Sequence, residues 1–348
     1  MNLKIEVLEA FYGDCILISF TDSNDIVRNI LIDGGIGRNY SRNLKHRLMK
    51  IIDDKQNIDL LIITHIDDDH IGGILKIFED KELNKNFIRK VWFNSEKNIC
   101  KKYSSLINNP DDITLMDTIN PQTSARQAFT LEKKLKHLNC WEEGLIEVNS
   151  KFEKLQFYDI KLTVVSPNFK GIVALGKKLK KEMNRNTYTA SKDNDYDRSI
   201  YDLQNNNFEE DTSVTNKSSI AFILENKYGN KYLFLGDSHP SDIVNSLKKL
   251  GYCENKKIKL EYLKLAHHGS KHNMSESLLR IVDCKKFIIS SNGKRDNLPN
   301  KETFAKILKY CNHDVELYFN YEIYKDIFSQ HEIEKYNIKC FYNNVLEV

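Results

Sequence analysis

Between Thr64 and Gly73 the chain reads Thr-His-Ile-Asp-Asp-Asp-His-Ile-Gly-Gly, which crowds His65, Asp67, Asp69 and His70 into six positions. Imidazole nitrogens and carboxylate oxygens ligate divalent cations, and alternate residues of a short extended loop can point the same way. A pair of cations about 3.5–4 Å apart needs six to eight ligands, commonly with a carboxylate between them. One loop cannot supply so many. Asp237 behind Gly236, and His267-His268 ahead of Gly269, are the natural additions. The glycines allow close backbone approach to a crowded site. Taken singly, an aspartate-rich loop is usually a solvated turn and a histidine at a strand end is usually structural. The combination, in this order, points to a metal site.

These residues need elements that end in the same place. Leu60-Leu61-Ile62-Ile63 reads as a buried strand that delivers His65–His70 at its C-terminal end. Gly72-Gly73 then lets a helix with Ile74, Leu75, Ile77 and Phe78 begin close behind. Earlier strands are predicted at Ile5–Leu8, Ile16–Phe20 and Ile30–Ile32, the last running into Asp33, with a helix following from Ser41 as N-cap. Later strand signals at Tyr232–Leu235 and Tyr262–Ala266 end at Asp237 and His267-His268, and Phe287–Ser290 ends near Asn292. A helix from Ser241 to Leu250 stops at Gly251, and others are predicted at Ser275–Val282 and Asn300–Tyr310. Two blocks of strands, each followed by helices, predict two packed sheets with helices outside.

Two stretches fit this scheme less well. Residues 98–150 hold helical segments, Leu131–Leu138 among them, but no evident chemistry. Residues 168–215 are strongly polar, with a basic run at Lys177–Lys181 and Asp/Asn-rich tracts, and read as an inserted, mobile loop or lid.

Bulk properties set outer bounds. At 348 residues and a formal net charge of +3, the chain has ample length for a core and no charge excess that demands nucleic acid. No apolar run approaches the roughly 20 residues needed to span a bilayer, and the first residues alternate like a strand rather than a signal peptide. The seven scattered cysteines, with no Cys-x-x-Cys, favour reduced thiols and a cytoplasmic setting.

The run from Thr64 to Gly73 resembles the metallo-β-lactamase superfamily signature Thr-His-x-His-x-Asp-His-x-Gly-Gly, with Asp67 where the second histidine is usual. With "EAFYGDCILISF", "ILIDGG", "FLGDSH" and "LKLAHHGSKHN", it is similar to the soluble metallo-β-lactamase-type domain of ComEC DNA-uptake proteins and their free-standing relatives. The resemblance runs from Ile5 to the closing "KCFYNNVLEV", apart from the two stretches named above. It implies an α/β fold, a four-layer αββα sandwich forming a single domain over 1–348, with insertions near 98–150 and 168–215. It implies two divalent metal ions, zinc or manganese, with His65 and Asp67 on the first, Asp69 and His70 on the second, and Asp237 between them. His267 or His268 completes the second site. The working assignment places His267 on the metal, and Asp69, His268 and Lys271 as the groups that act on substrate. Asp33, Asp14 and Asn216 support the site, and Ser218-Ser219 resemble part of the same patch.

The implied chemistry is hydrolysis by a water whose pKa falls from about 15.7 toward 7 between two cations. Carboxylates offset the repulsion between two dications better than neutral imidazoles can, and Asp67 tilts the first site toward manganese. A phosphodiester fits such a pair, so the expected activity is that of a phosphodiesterase or nuclease acting on nucleic acid or another phosphodiester. Lys271 and His272 either meet phosphate oxygens or form a solvated loop. Alternatives are a phosphoesterase on a small or headgroup substrate, or a non-catalytic or regulatory subunit with a protein partner, as in a defence system. Three departures stand out. There is no membrane channel, so this chain alone does not import DNA. The histidine usual between signature and bridging aspartate has no counterpart except His137, and Leu298-Pro299 stands where relatives have His-Pro.

Overall fold

Residue alternation within the strands defines the architecture. In the second strand Ile16, Ile18 and Phe20 face one core while Cys15 and Leu17, on the other side, face another. Leu60 and Ile62 divide from Leu61 and Ile63 in the same way, as do Phe222 and Leu224 from Ala221 and Ile223, and Ile288 from Phe287 and Ile289. Strands that are apolar on both faces require a layer on each side. The computed structural model supplies them, describing residues 2–107, 124–138, 140–141, 144–181, 194–311 and 314–348.

The first sheet contains β1 (Leu3–Val7), β2 (Ile16–Thr21), β3 (Val27–Ile32), β4 (Leu60–Ile62), β5 (Val91–Trp92) and β16 (Val345–Glu347), in the order β16-β1-β2-β3-β4-β5. The second contains β6 (Lys154–Phe157), β7 (Ile160–Ser166), β8 (Ala221–Asn226), β9 (Lys231–Phe234), β11 (Tyr262–Lys264), β13 (Lys286–Ile289), β14 (Glu316–Phe319) and β15 (Lys339–Tyr342), in the order β15-β14-β13-β11-β9-β8-β7-β6. A small parallel pair, β10 (Ile258–Leu260) and β12 (Val282–Cys284), stands apart. Residues of both sheets, from Leu3 through Trp92 to Ile288, share the central core. The fold is an α/β sandwich of four layers, αββα.

Helices close the outer faces. α1 (Leu44–Asp53), α2 (Asp68–Glu79), α3 (Glu96–Ile107), α4 (Ser124–Leu135) and α5 (Phe169–Lys181) bury apolar residues against the first sheet. α6 (Ile200–Leu203), α8 (Pro240–Lys249), α9 (Glu276–Ile281), α10 (Lys301–Tyr310) and α11 (Tyr324–Ile327) do so against the second. The short α7 (Val214–Lys217) leads into β8, and α12 (Gln330–Lys335) carries a capping box at Ser329 and Glu332.

The expected lid is corrected in part. Residues 169–181 form a helix whose Ile172, Leu175 and Leu179 are buried in the outer core, so the basic run lies on an amphipathic helix. The lysines concealed a period-3.6 apolar pattern. In the two expected insertions, residues 108–123, 139, 142–143 and 182–193 lie outside the described residues. The helix expected from Ser41 begins at Leu44, with Asn43 as N-cap. Among the described residues no helix is long and apolar enough to cross a membrane.

α2 lies unusually close to the segment after β3. A Cβ on Gly73 would sit 1.9 Å from the Gly34 carbonyl oxygen, so any side chain there would push the helix, and His70 with it, away from Asp33.

Candidate metal centre

Asp33 follows β3, His65 lies just beyond β4, Asp237 beyond β9, His267-His268 beyond β11 and Ser290 beyond β13. β3 is parallel to β4, and β9, β11 and β13 are parallel to one another. Carboxyl ends of parallel strands leave a crevice where ligands bind. Here ends from both sheets meet at one edge.

The fully buried Asp33 organises the first-sheet side. Its Oδ1 accepts from the Thr64 amide at 2.8 Å, and its Oδ2 accepts from Thr64 Oγ1 at 2.6 Å and His70 Nδ1 at 2.8 Å. Since the Thr64 hydroxyl donates to Asp33, it accepts from His65 Nδ1, 3.0 Å away. On the second-sheet side His268 Nδ1 donates to the Ser290 carbonyl at 3.0 Å and lies 3.3 Å from Asp14 Oδ1. All three rings therefore hold a proton on Nδ1 and turn Nε2 inward, where its lone pair is available once the ring is neutral.

Those lone pairs find nothing. Among the described residues His65 Nε2, His70 Nε2, His268 Nε2 and Asp237 Oδ1 are buried without a hydrogen-bond partner. Asp237 Oδ2 lies 3.6 Å from His65 Nε2, 3.4 Å from His70 Nε2, 3.8 Å from His267 Nε2 and 3.9 Å from His268 Nε2. Asp69 Oδ2 is 3.3 Å from His268 Nε2. Two donor sets result, His65–His70–Asp237 and Asp69–His70–His268, each with ligand atoms within 4.8 Å of one another. Buried polar atoms without partners are costly, and here all are nitrogen or carboxylate donors aimed at common points. The residues fit divalent cations.

The electrostatics agree. Burial would raise the Asp237 pKa, yet His70, His267, His268 and His65 hold it well below the ordinary carboxylate range. Burial would favour neutral imidazole at His70, but Asp237 and Asp33 keep its pKa well above the usual value. At His268 burial is likewise outweighed, by Asp14 and Asp237, and the pKa is pushed up to about 9. A carboxylate-rich, water-poor pocket thus favours positive charge at its centre.

A sharp turn separates the paired histidines. His267, His268 and Gly269 all have positive φ, 47°, 54° and 88°, a conformation that costs of order 1 kcal/mol or more for a non-glycine residue. The His267 amide is held by the Gly236 carbonyl at 2.9 Å, and Thr303 Oγ1 donates to the Gly269 carbonyl at 2.7 Å. The turn splays the rings. His268 faces Asp69 and Asp14, whereas His267 lies across Asp237, with Nδ1 3.1 Å from Asn273 Oδ1 and 3.6 Å from Asp211 Oδ2. The His267 side chain is 28% exposed, against 3% for His268.

Other expected residues are placed as follows. Asp67 Oδ2 lies 3.7 Å from His65 Nε2 and accepts from Thr215 Oγ1 at 3.1 Å. Asn216 Nδ2 donates to Asp211 Oδ2 at 2.7 Å and is 3.4 Å from His267 Nδ1. Ser219 Oγ accepts from the Asp237 amide at 3.2 Å. Asp14 is clamped by Lys264 Nζ at 2.6 Å. Lys271 is turned elsewhere, its Nζ 3.9 Å from Glu302, and His272 bonds to the Glu209 carbonyl. Asn292 accepts from the Lys294 amide in its own loop, and His137 is exposed beyond the end of α4. Sequence reasoning missed Asp211, which sits in a tract that reads as solvated linker, and Ser290, whose contribution is a backbone carbonyl. It also missed Lys264, although a lysine in the apolar run Tyr-Leu-Lys-Leu-Ala is itself a signal of a buried partner.

Residues 10–84 match the metallo-β-lactamase superfamily. The matched segment includes Asp14, Asp33 and the His65–His70 loop, and stops short of Asp237 and the paired histidines. No curated protein matches the chain. Among solved structures, the metallo-β-lactamase fold protein YhfI from Bacillus subtilis aligns over 100% of this chain and 99% of its own, with 11% identity and a TM-score of 0.44.

Proposed function

We propose that the chain is a metal-dependent hydrolase of phosphodiesters, resembling the ComEC-type branch of the superfamily. The observation that carries this reading is the convergence of buried, partnerless His65, His70 and His268 Nε2 and Asp237 Oδ1 at the sandwich edge. His65, Asp67 and Asp237 would hold one ion, and Asp69 and His268 the other. His70 belongs to both donor sets and would serve one ion, and Asp237, with two carboxylate oxygens, would serve both. Bound dications acidify water and polarise a phosphoryl oxygen, and they offset the charge of a diester anion.

The chain's own groups do the rest. Asp33 and Ser290 hold His70 and His268 in their tautomers, so the donors need little reorganisation. In this reading the expected roles of the paired histidines are exchanged. His268 is the ligand, and His267, more open, presents Nε2 toward the cluster while Asn273 Oδ1 occupies Nδ1–H. Although burial opposes it, Asp237 and Asp211 raise the His267 pKa, and Asp211, which this reading leaves off the metals, lies 3.6 Å from Nδ1, a placement that suits a general acid delivering a proton to a leaving alkoxide. Lys271 has no role in this reading.

The test is hydrolysis of linear DNA, RNA and bis(p-nitrophenyl) phosphate by the purified chain with Mn²⁺, Zn²⁺ or Mg²⁺. Cleavage that falls at least about a hundredfold in Asp237→Ala is expected. Metal-loaded protein inert toward all three substrates would overturn the reading.

A further inference from the structure

The acidic centre has one cationic edge. The Tyr12 ring is shared by two guanidiniums, with Arg295 Cζ 4.8 Å and Arg38 Cζ 5.6 Å from its centroid, and Arg38 lies 5.3 Å from the centroid of Phe11. This edge is fastened to the metal centre. A Cβ on Gly13 would stand 2.0 Å from the Asp69 carbonyl oxygen, the Asp14 amide donates to that same oxygen at 3.2 Å, and Ser290 Oγ donates to the Gly13 carbonyl at 3.0 Å. The turn is also stiff. Phe11 is held at φ 62°, and its amide donates to the Tyr321 hydroxyl at 2.7 Å. A non-glycine residue kept in that region by surrounding contacts marks a place where position matters.

Arg295 is only partly matched within the chain, its charge supported by the Asp69 carboxylate and the Tyr12 side chain. Arg295 has Asp296 at 3.3 Å, but both side chains are more than one-third exposed, so the pair is weak and easily exchanged. No carboxylate among the described residues lies in ion-pair range of Arg38. Two guanidiniums on one ring repel, and an anion set between them relieves that repulsion. Guanidiniums take phosphate in a fork, and half-buried aromatic rings such as those of Tyr12 and Phe11 stack on bases.

We propose that Tyr12, Arg38 and Arg295 form a rim that binds single-stranded nucleic acid beside the metal centre. The arginines take a phosphate flanking the scissile one, and Tyr12 and Phe11 offer a face to a base. This rests on the phosphodiester reading above, and it names the polymer as the substrate class. It also places the phosphate-binding cations on the Asp69 side rather than at Lys271.

The test is equilibrium binding of a fluorescein-labelled hexathymidylate with phosphorothioate linkages, which keeps the charges and resists cleavage. It is titrated into the full chain with Mn²⁺ over a range of salt concentrations. Arg38→Met and Arg295→Met should each weaken binding about tenfold and lower the log–log salt slope by about 0.7, one phosphate contact on a single strand. Arg295→Lys should keep the slope while losing affinity, because it retains the charge and loses the fork. Tyr12→Leu should lose affinity with the slope unchanged. Wild-type affinity and slope in both arginine variants, or no binding by the wild type, overturns the rim. Cleavage of an unmodified hexathymidylate is measured alongside. A wild type that binds but never cleaves sinks the hydrolase reading and leaves the rim standing, whereas cleavage with unaltered variants sinks the rim alone.

Discussion

Lys264 Nζ lies 2.6 Å from Asp14 Oδ2 across 250 positions of sequence, joining the second sheet to the first beneath His268. Both residues are buried, at 1% and 2% exposure. Burial alone would raise the Asp14 pKa, but Lys264 and His268 hold it far below the ordinary range. Removing one partner of such a pair strands the other. Lys264→Met should cost about 3–5 kcal/mol of stability, read by denaturant unfolding, and adding Asp14→Asn should recover much of it. A single variant as stable as the wild type would refute this account of the pair.

Asp33 should act on metal binding through His70 without touching the ion. Asparagine with its oxygen in the Oδ2 place would turn its NH₂ toward the Thr64 amide, which donates to Asp33 Oδ1, and would remove the negative charge beside His70. Asp33→Asn should weaken cation affinity about 10–100-fold, measured by competition with a chelating dye. Unchanged affinity would mean the His70 ring is held by packing alone.

The paired histidines should separate by assay. His268→Ala should lower the metal content per chain, because it empties the Asp69–His70–His268 set. His267→Ala should retain metal and lose turnover, by about 10²–10⁴-fold for a lost general acid. Elemental analysis with parallel kinetics decides it, and the opposite pattern would restore the assignment made from sequence.

A pH effect is expected away from the centre. Lys45 Nζ, 2.9 Å from Asp80 Oδ2, is the main cause of an Asp80 pKa of about 2, against an ordinary 3.8, with Tyr40 OH also donating at 2.9 Å. The folded-state value is the lower one, so the stabilisation is complete above about pH 4 and is lost as pH falls through about 2. Solvent screening keeps it near 1 kcal/mol. Asp80→Asn should therefore be less stable than the wild type at pH 7, with the gap closing as pH falls through about 2. A stability gap that does not change with pH would exclude the mechanism.

The type of each layer and most of the candidate donor residues were readable along the chain. Strand alternation is local, and the His65–His70 loop, Asp237 and His267-His268 each announce themselves by residue type next to an apolar run. α5 was obscured because lysines on its solvent face outweigh a buried stripe that composition does not register. The sense of the histidine pair was not readable at all. Two adjacent imidazoles are chemically identical until a left-handed turn sends one toward Asp69 and the other toward Asp211. Nor could residue types show that Lys264 belongs to Asp14, that Lys271 leans on Glu302, or that Tyr12 meets both Arg38 and Arg295. Those partners are remote in sequence, and only the packing of one sheet on the other brings them within reach.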